Sequence, residues 1–310
     1  MNLSINPSYF CNFRCDFCYL TPEQLGDQKK IEPERLNQLL SEVEDPIDHI
    51  DLYGGEIGAL KRSYYDQIIE VIRNWYTGPI NINTNFSKLD DRFFDDGVTL
   101  SVSYDFQARE KHELVFQNMM MSPKPISLLI LASPRVITMD VDEMVQNLNL
   151  IKSIQSVEIK PYSTNQANTF EITHRDYENF VIKWLESPIQ KNFQFINYDN
   201  IVESYYKRYN AWSDDHVYIT PNGNFGVLEF DENDNEYFLE LPNYYSYKLW
   251  AHMEKRKQST VCVNCNWFGH CLTEHYRYVR DLKNSCNGYR GLLEWYAGLE
   301  SKTENLSQAQ

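Results

Sequence analysis

Short apolar runs alternate with longer amphipathic stretches along most of the chain. From residue 2 to about 186, the runs LSIN (3–6), HIDLYG (49–54), ININ (80–83), TLSVSYD (99–105), ISLLILAS (126–133) and SVEIKPY (156–162) read as strands. They are short and close to continuously apolar, as strands covered on both faces should be. Between them, PERLNQLLSEVE, SYYDQIIEVIRNWY and DVDEMVQNLNLIKSI place apolar residues at helical spacing, and Pro33 suits a first helical position. Six βα units in succession predict an α/β chain whose parallel sheet curls into a partial (β/α)6 TIM-like barrel. Chemistry in such folds sits at the carboxyl ends of the strands.

Beyond residue 187 the alternation stops. VYITPNGNFGVLEF reads as a hairpin turning at Asn222-Gly223, and NYYSYKLWAHMEKR reads as a helix. The expected division is a barrel over residues 1–186, a small carboxy-terminal domain over 187–300 and a polar tail over 301–310.

Composition narrows the function classes. The 310 residues carry a net charge of -15, which opposes a nucleic acid backbone as partner. No run reaches the length of a membrane helix, and the opening MNLSINPSYF lacks the basic-then-apolar order of a secretion signal, so a cytoplasmic location is expected. A reducing cytosol turns the seven cysteines into candidates for metal binding and disfavours disulfides. They form two groups, Cys11, Cys15 and Cys18, then Cys262, Cys265, Cys271 and Cys286.

The first group follows the first strand, the end at which barrel chemistry is built. A fully protein-bound 4Fe-4S cluster takes four thiolates; three would leave one iron with an open position. Three cysteines so closely spaced also fit part of a zinc site. CNFRCDFC, a C-x3-C-x2-C run with Phe17 before the last cysteine, resembles the motif of the radical S-adenosylmethionine (SAM) superfamily. That resemblance implies a 4Fe-4S cluster whose open iron chelates SAM, reductive cleavage of SAM to a 5'-deoxyadenosyl radical, and hydrogen abstraction from a substrate. It implies that Phe17 contacts the adenine, and that Gly54, Gly55 and Glu56 match a glycine-glycine-glutamate motif facing the SAM ammonium group. Asn85 after strand three, Ser103 and Asp105 at the end of strand four, and Pro161 at the end of strand six are further cofactor-binding candidates by the same resemblance. The chain departs from the family pattern at Phe86, where glycine is usual, and at Ile57, where proline often follows the glutamate.

The second group, C-x2-C-x5-C-x14-C, offers a closed set of four thiolates, which a structural zinc would also accept. Here the chain resembles the SPASM/twitch extension of radical SAM enzymes, which implies an auxiliary 4Fe-4S cluster held by Cys262, Cys265, Cys271 and Cys286. Leu228 and His275 stand where the full SPASM pattern has cysteines of another cluster, so two clusters are expected. Glu229 is the candidate catalytic acid or base. The same resemblance points to a ribosomally made precursor peptide as substrate, with crosslinking or epimerisation as the outcome. A separate leader-recognition protein and a reductant such as flavodoxin or ferredoxin are the expected partners. Two other readings stand beside it, a tailoring enzyme acting on a sugar or aminoglycoside and a non-catalytic metal-bound scaffold.

Overall fold

The computed structural model describes residues 1–162, 172–208, 216–228, 238–271 and 288–308. The expected strands all form, each starting within two residues of its expected position. They are β1 (Asn2–Ile5), β2 (His49–Leu52), β3 (Ile80–Thr84), β4 (Val98–Ser103), β5 (Ile126–Ala132) and β6 (Ile154–Pro161), parallel and side by side in chain order. A two-residue strand, β7 (Gln194–Phe195), extends this edge.

On the other side of β1 the sheet continues. β8 (His216–Ile219) pairs with β1 in parallel, and β9 (Phe225–Leu228) and β10 (Phe238–Leu241) follow antiparallel. The expected hairpin is therefore β8 and β9, with Gly223 of its turn at φ +78°. The alternation runs past residue 187, because β7 lies beyond it and pairs with β6 in parallel, and the sheet itself passes from one segment to the other without a break.

The connecting helices begin where their sequence lets them begin. Thr21 and Gln24 form a reciprocal cap on α1 (Pro22–Gly26), and Pro33 opens α2 (Pro33–Glu42). Of the four remaining crossovers, three use α3 (Arg62–Arg73), α4 (His112–Met121) and α5 (Val141–Asn149), the last capped by Asp140 through the Glu143 N–H, while β3 passes to β4 through a short 3-10 turn at Asp91–Phe94 in place of an α-helix. After β6 come α6 (His174–Glu186), α7 (Ile196–Tyr205), α8 (Tyr244–Cys262) and α9 (Arg290–Gln308). α9 runs on through the stretch expected to be a polar tail.

The strands differ from the expectation of two covered faces. Leu3, Ile5, Ile50, Leu52, Ile80, Ile82, Leu100 and Val102 are buried in one apolar core with helix residues such as Leu36, Leu39, Ile68 and Ile72. The residues between them are polar and hydrogen-bond across the opposite face: Asn81 to Asp51 and Ser101, Thr99 to Asn81, and Ser4 to His216. Successive side chains of a strand point to opposite faces. On β1 to β4 this inner face is lined by Asn, Ser, Thr and Asp, several of them buried and paired with one another.

Candidate active site

The loop that leaves β1 carries Cys11, Cys15 and Cys18, and β2 holds it in place by close backbone packing. The Gly55 N–H donates to the Ser8 carbonyl at 3.0 Å, and the Glu56 N–H donates to the Phe10 carbonyl at 2.8 Å. A Cβ on Gly55 would lie 2.1 Å from the Phe10 carbonyl oxygen, and one on Gly54 would lie 2.8 Å from that of Ser8. Gly54 also sits at φ +128°, outside the range of ordinary side chains. The two glycines therefore let β2 clamp the cysteine loop.

Glu56 is buried and spends its carboxylate on the end of β3. Thr84 Oγ1 donates to Oε1 at 2.7 Å, the Gly58 N–H donates to the same oxygen at 2.8 Å, and the Asn85 N–H donates to Oε2 at 2.7 Å. Burial pushes the Glu56 carboxyl up from its ordinary value, against the pull of these donors. Asn85 in turn reaches the cysteine loop, donating from Nδ2 to Asn12 Oδ1 at 2.9 Å and to Cys11 Sγ at 3.7 Å.

Phe86, where the resemblance leads one to expect glycine, has a left-handed backbone with φ +52°. It is fully buried and stacks on Phe93 at 6.0 Å, while its carbonyl accepts from Asn118. Packing holds the phenylalanine in this conformation.

The end of β4 meets the loop from the other side through a residue that the sequence reading missed. Arg109 is buried and donates to Asp105 at 2.7 Å, to Ser103, and toward Cys15 Sγ at 3.9 Å. Its guanidinium also lies over the Phe17 ring, 5.4 Å from the centroid. Burial works against the Arg109 charge, but Asp105 and Cys15 outweigh it, so the guanidinium stays charged. The only sequence signal was its place four residues after Asp105. Ser103 and Asp105 are thus engaged by Arg109.

The cysteines accept backbone donors as well: the Phe13 N–H to Cys11 Sγ and the Leu20 N–H to Cys18 Sγ, each at 3.4 Å. Burial pushes the Cys18 thiol up to about 12, so its thiolate needs a cationic partner. Among the described residues no three Cys, His, Asp or Glu side chains converge as tightly as one metal ion requires. A cubane presents a separate iron to each thiolate and spaces its ligands more widely, and hydrogen bonds to the sulfurs belong to such sites. Donors aimed at half-buried sulfurs, beside a buried guanidinium, fit a 4Fe-4S cluster that Cys11, Cys15 and Cys18 would hold. Asn6, at the end of β1 beneath Gly54, is fully buried with both side-chain amide atoms unpartnered, a polar group left over beside this loop.

The other candidates lie elsewhere or outside the described residues. Pro161 ends β6 opposite Ala132 and touches none of the groups above among the contacts described. Cys262 ends α8, and the Cys265 N–H bonds to its carbonyl at 2.8 Å. Cys271 is buried, with the Tyr289 N–H donating to its sulfur at 3.1 Å. Trp267 packs on Tyr205 of α7 at 5.6 Å, which seats this turn against α7. Cys286, His275 and Glu229 fall outside the described residues.

No family model matches the chain, and no curated protein sequence does. Solved structures do match in fold. The structure of native anSMEcpe with bound AdoMet superposes with a TM-score of 0.67 at 14% identity, covering 98% of this chain and 99% of the other. Streptococcus suis SuiB bound to S-adenosylmethionine superposes with a TM-score of 0.61 at 13% identity, covering 89% of this chain and 73% of the other. anSMEcpe with bound AdoMet and the Cp18Cys peptide gives a TM-score of 0.65 at 14% identity over 98% and 99% of the two chains. The expected partial α/β barrel is therefore borne out, and the chain shares its fold with these AdoMet-bound structures. Among the described residues no helix is long and apolar enough to cross a membrane.

Proposed function

We propose that the chain is a radical SAM enzyme acting on a peptide. The observation that carries this reading is the set of three cysteines after β1, short of a closed cluster by one thiolate, with donors aimed at two of the sulfurs and Arg109 beside the third. A cluster bound there would offer one open iron to SAM and the electron that cleaves it to a 5'-deoxyadenosyl radical. The protein's own part is positional. Gly54 and Gly55 clamp the loop, Glu56 ties β2 to β3, and Arg109 fixes Phe17, Ser103 and Asp105 around Cys15.

A peptide substrate is supported by the neighbours in fold, one carrying the Cp18Cys peptide and one, with a TM-score of 0.51, bound to the precursor peptide SuiA. Cys262, Cys265, Cys271 and Cys286 would hold an auxiliary cluster, with Glu229 as acid or base. A flavodoxin or ferredoxin would supply electrons, and a separate protein would present the leader. The test is anaerobic reconstitution with iron and sulfide, followed by dithionite and SAM. Release of 5'-deoxyadenosine and methionine is the expected result, and absence of cleavage, with a candidate peptide present as well as without it, would refute the reading.

A further inference from the structure

The inner wall of the barrel carries a carboxylate that the chemistry above leaves unused. Asp51 lies on β2, three residues before Gly54, and its side chain is 16% exposed. Asn81 Nδ2 donates to its Oδ1 at 2.6 Å, Asn83 Nδ2 donates at 3.3 Å, and His49 Nε2 stands 3.2 Å away. All three converge on Oδ1. Among the described residues Oδ2 receives no hydrogen bond, so the two amides orient the carboxylate and leave one oxygen uncommitted. Its nearest basic group, His49, is 44% exposed and charged only when protonated.

Among the described residues, the other titratable groups facing this wall include His216 of β8, which bonds Ser4 Oγ at 2.8 Å and lies close enough to act on the Asp51 charge. Glu158 and Lys160 on β6 pair with each other at 2.8 Å. Tyr53, the next inner-facing position above Asp51, stacks on Tyr19 of the cysteine loop at 5.8 Å, which puts Asp51 one step into the barrel from that loop. A partly desolvated carboxylate with an uncommitted oxygen is best complemented by a charged N–H donor. We infer that Asp51 is a substrate-binding carboxylate whose complement is a lysine or arginine side chain of the peptide. This assignment rests on the peptide reading above and adds a basic anchor residue to it.

Selection of a random-sequence displayed peptide library on the anaerobically reconstituted enzyme with SAM tests both. For the wild-type protein, recovered peptides should share a lysine or arginine at one position, and glutamine there should weaken binding about tenfold. Asp51→Asn should bind the basic and glutamine peptides alike. Asn83→Ala, which keeps the charge and removes one aiming amide, should narrow the difference. A basic preference undiminished in Asp51→Asn, or recovered peptides with no shared basic position, would overturn the assignment and leave the peptide reading standing. Recovery of no peptide would remove both. Should Asp51→Asn fail to fold, Asn83→Ala decides, and full discrimination there would also overturn the assignment.

Discussion

Arg109 donates through Nε and Nη2 to one carboxylate oxygen of Asp105, at 3.1 and 2.7 Å, with both side chains buried. Breaking a buried pair from one side leaves an uncompensated charge, at a cost of about 3–5 kcal/mol. Arg109→Met should therefore lower the unfolding free energy by about that amount, and adding Asp105→Asn should recover much of it. Urea unfolding of the four proteins of the cycle measures the coupling. Additive losses would mean that the pair is not formed.

Phe86 gives a prediction that inverts an ordinary order. Removing its buried ring costs about 3–5 kcal/mol, and relieving a left-handed residue returns about 1–2 kcal/mol. Phe86→Gly and Phe86→Ala should both destabilise, with the glycine variant the more stable by about 1 kcal/mol or more. Denaturant midpoints decide it, and an alanine variant at least as stable as the glycine one would contradict the φ of +52°.

His174 should make the fold sensitive to mild acid. Burial holds its pKa below the ordinary 6.5, against the opposing effect of its bond to the Gly288 carbonyl at 3.0 Å. With the folded value depressed, the unfolded chain binds the proton first, so stability is retained above 6.5 and falls as pH drops from there toward the folded value. His174→Gln should remove this contribution to the slope. Unfolding free energies of both proteins measured at several pH values check it; parallel curves would count against a buried neutral imidazole.

The two cysteine groups should be separable by metal content. The reconstituted wild-type chain is expected to hold about eight irons, and Cys15→Ala about four, because the distal thiolates are untouched. Iron and sulfide analysis alongside the 5'-deoxyadenosine assay reads both effects. A chain that takes up zinc at the distal group, with no iron lost on mutation there, would remove the auxiliary cluster from the account.

Much of this was legible in the chain. The six strands were visible because Leu3, Ile50, Ile82 and their kin are buried against helices and leave an apolar run. The cysteine loop was visible because chemistry demands fixed spacing. The polar inner wall was misread, although ININ and TLSVS show the two-residue alternation, because the runs are too short for their polar members to stand out. Arg109 was missed because a lone arginine in a loop carries no pattern; only folding brings it beside Cys15 and Phe17. The pairing of β8 with β1 joins residues more than two hundred positions apart, and nothing local encodes it.

The vacant position proposed for an amino-terminal cluster is open to a direct measurement. Electron–nuclear double resonance on the dithionite-reduced, reconstituted protein, with SAM labelled at the methionine carboxylate oxygen and amino nitrogen, should show hyperfine coupling from both labels, and Cys15→Ala should abolish it. A reduced cluster present in full amount whose spectrum shows no coupling to either label would contradict SAM ligation at that iron.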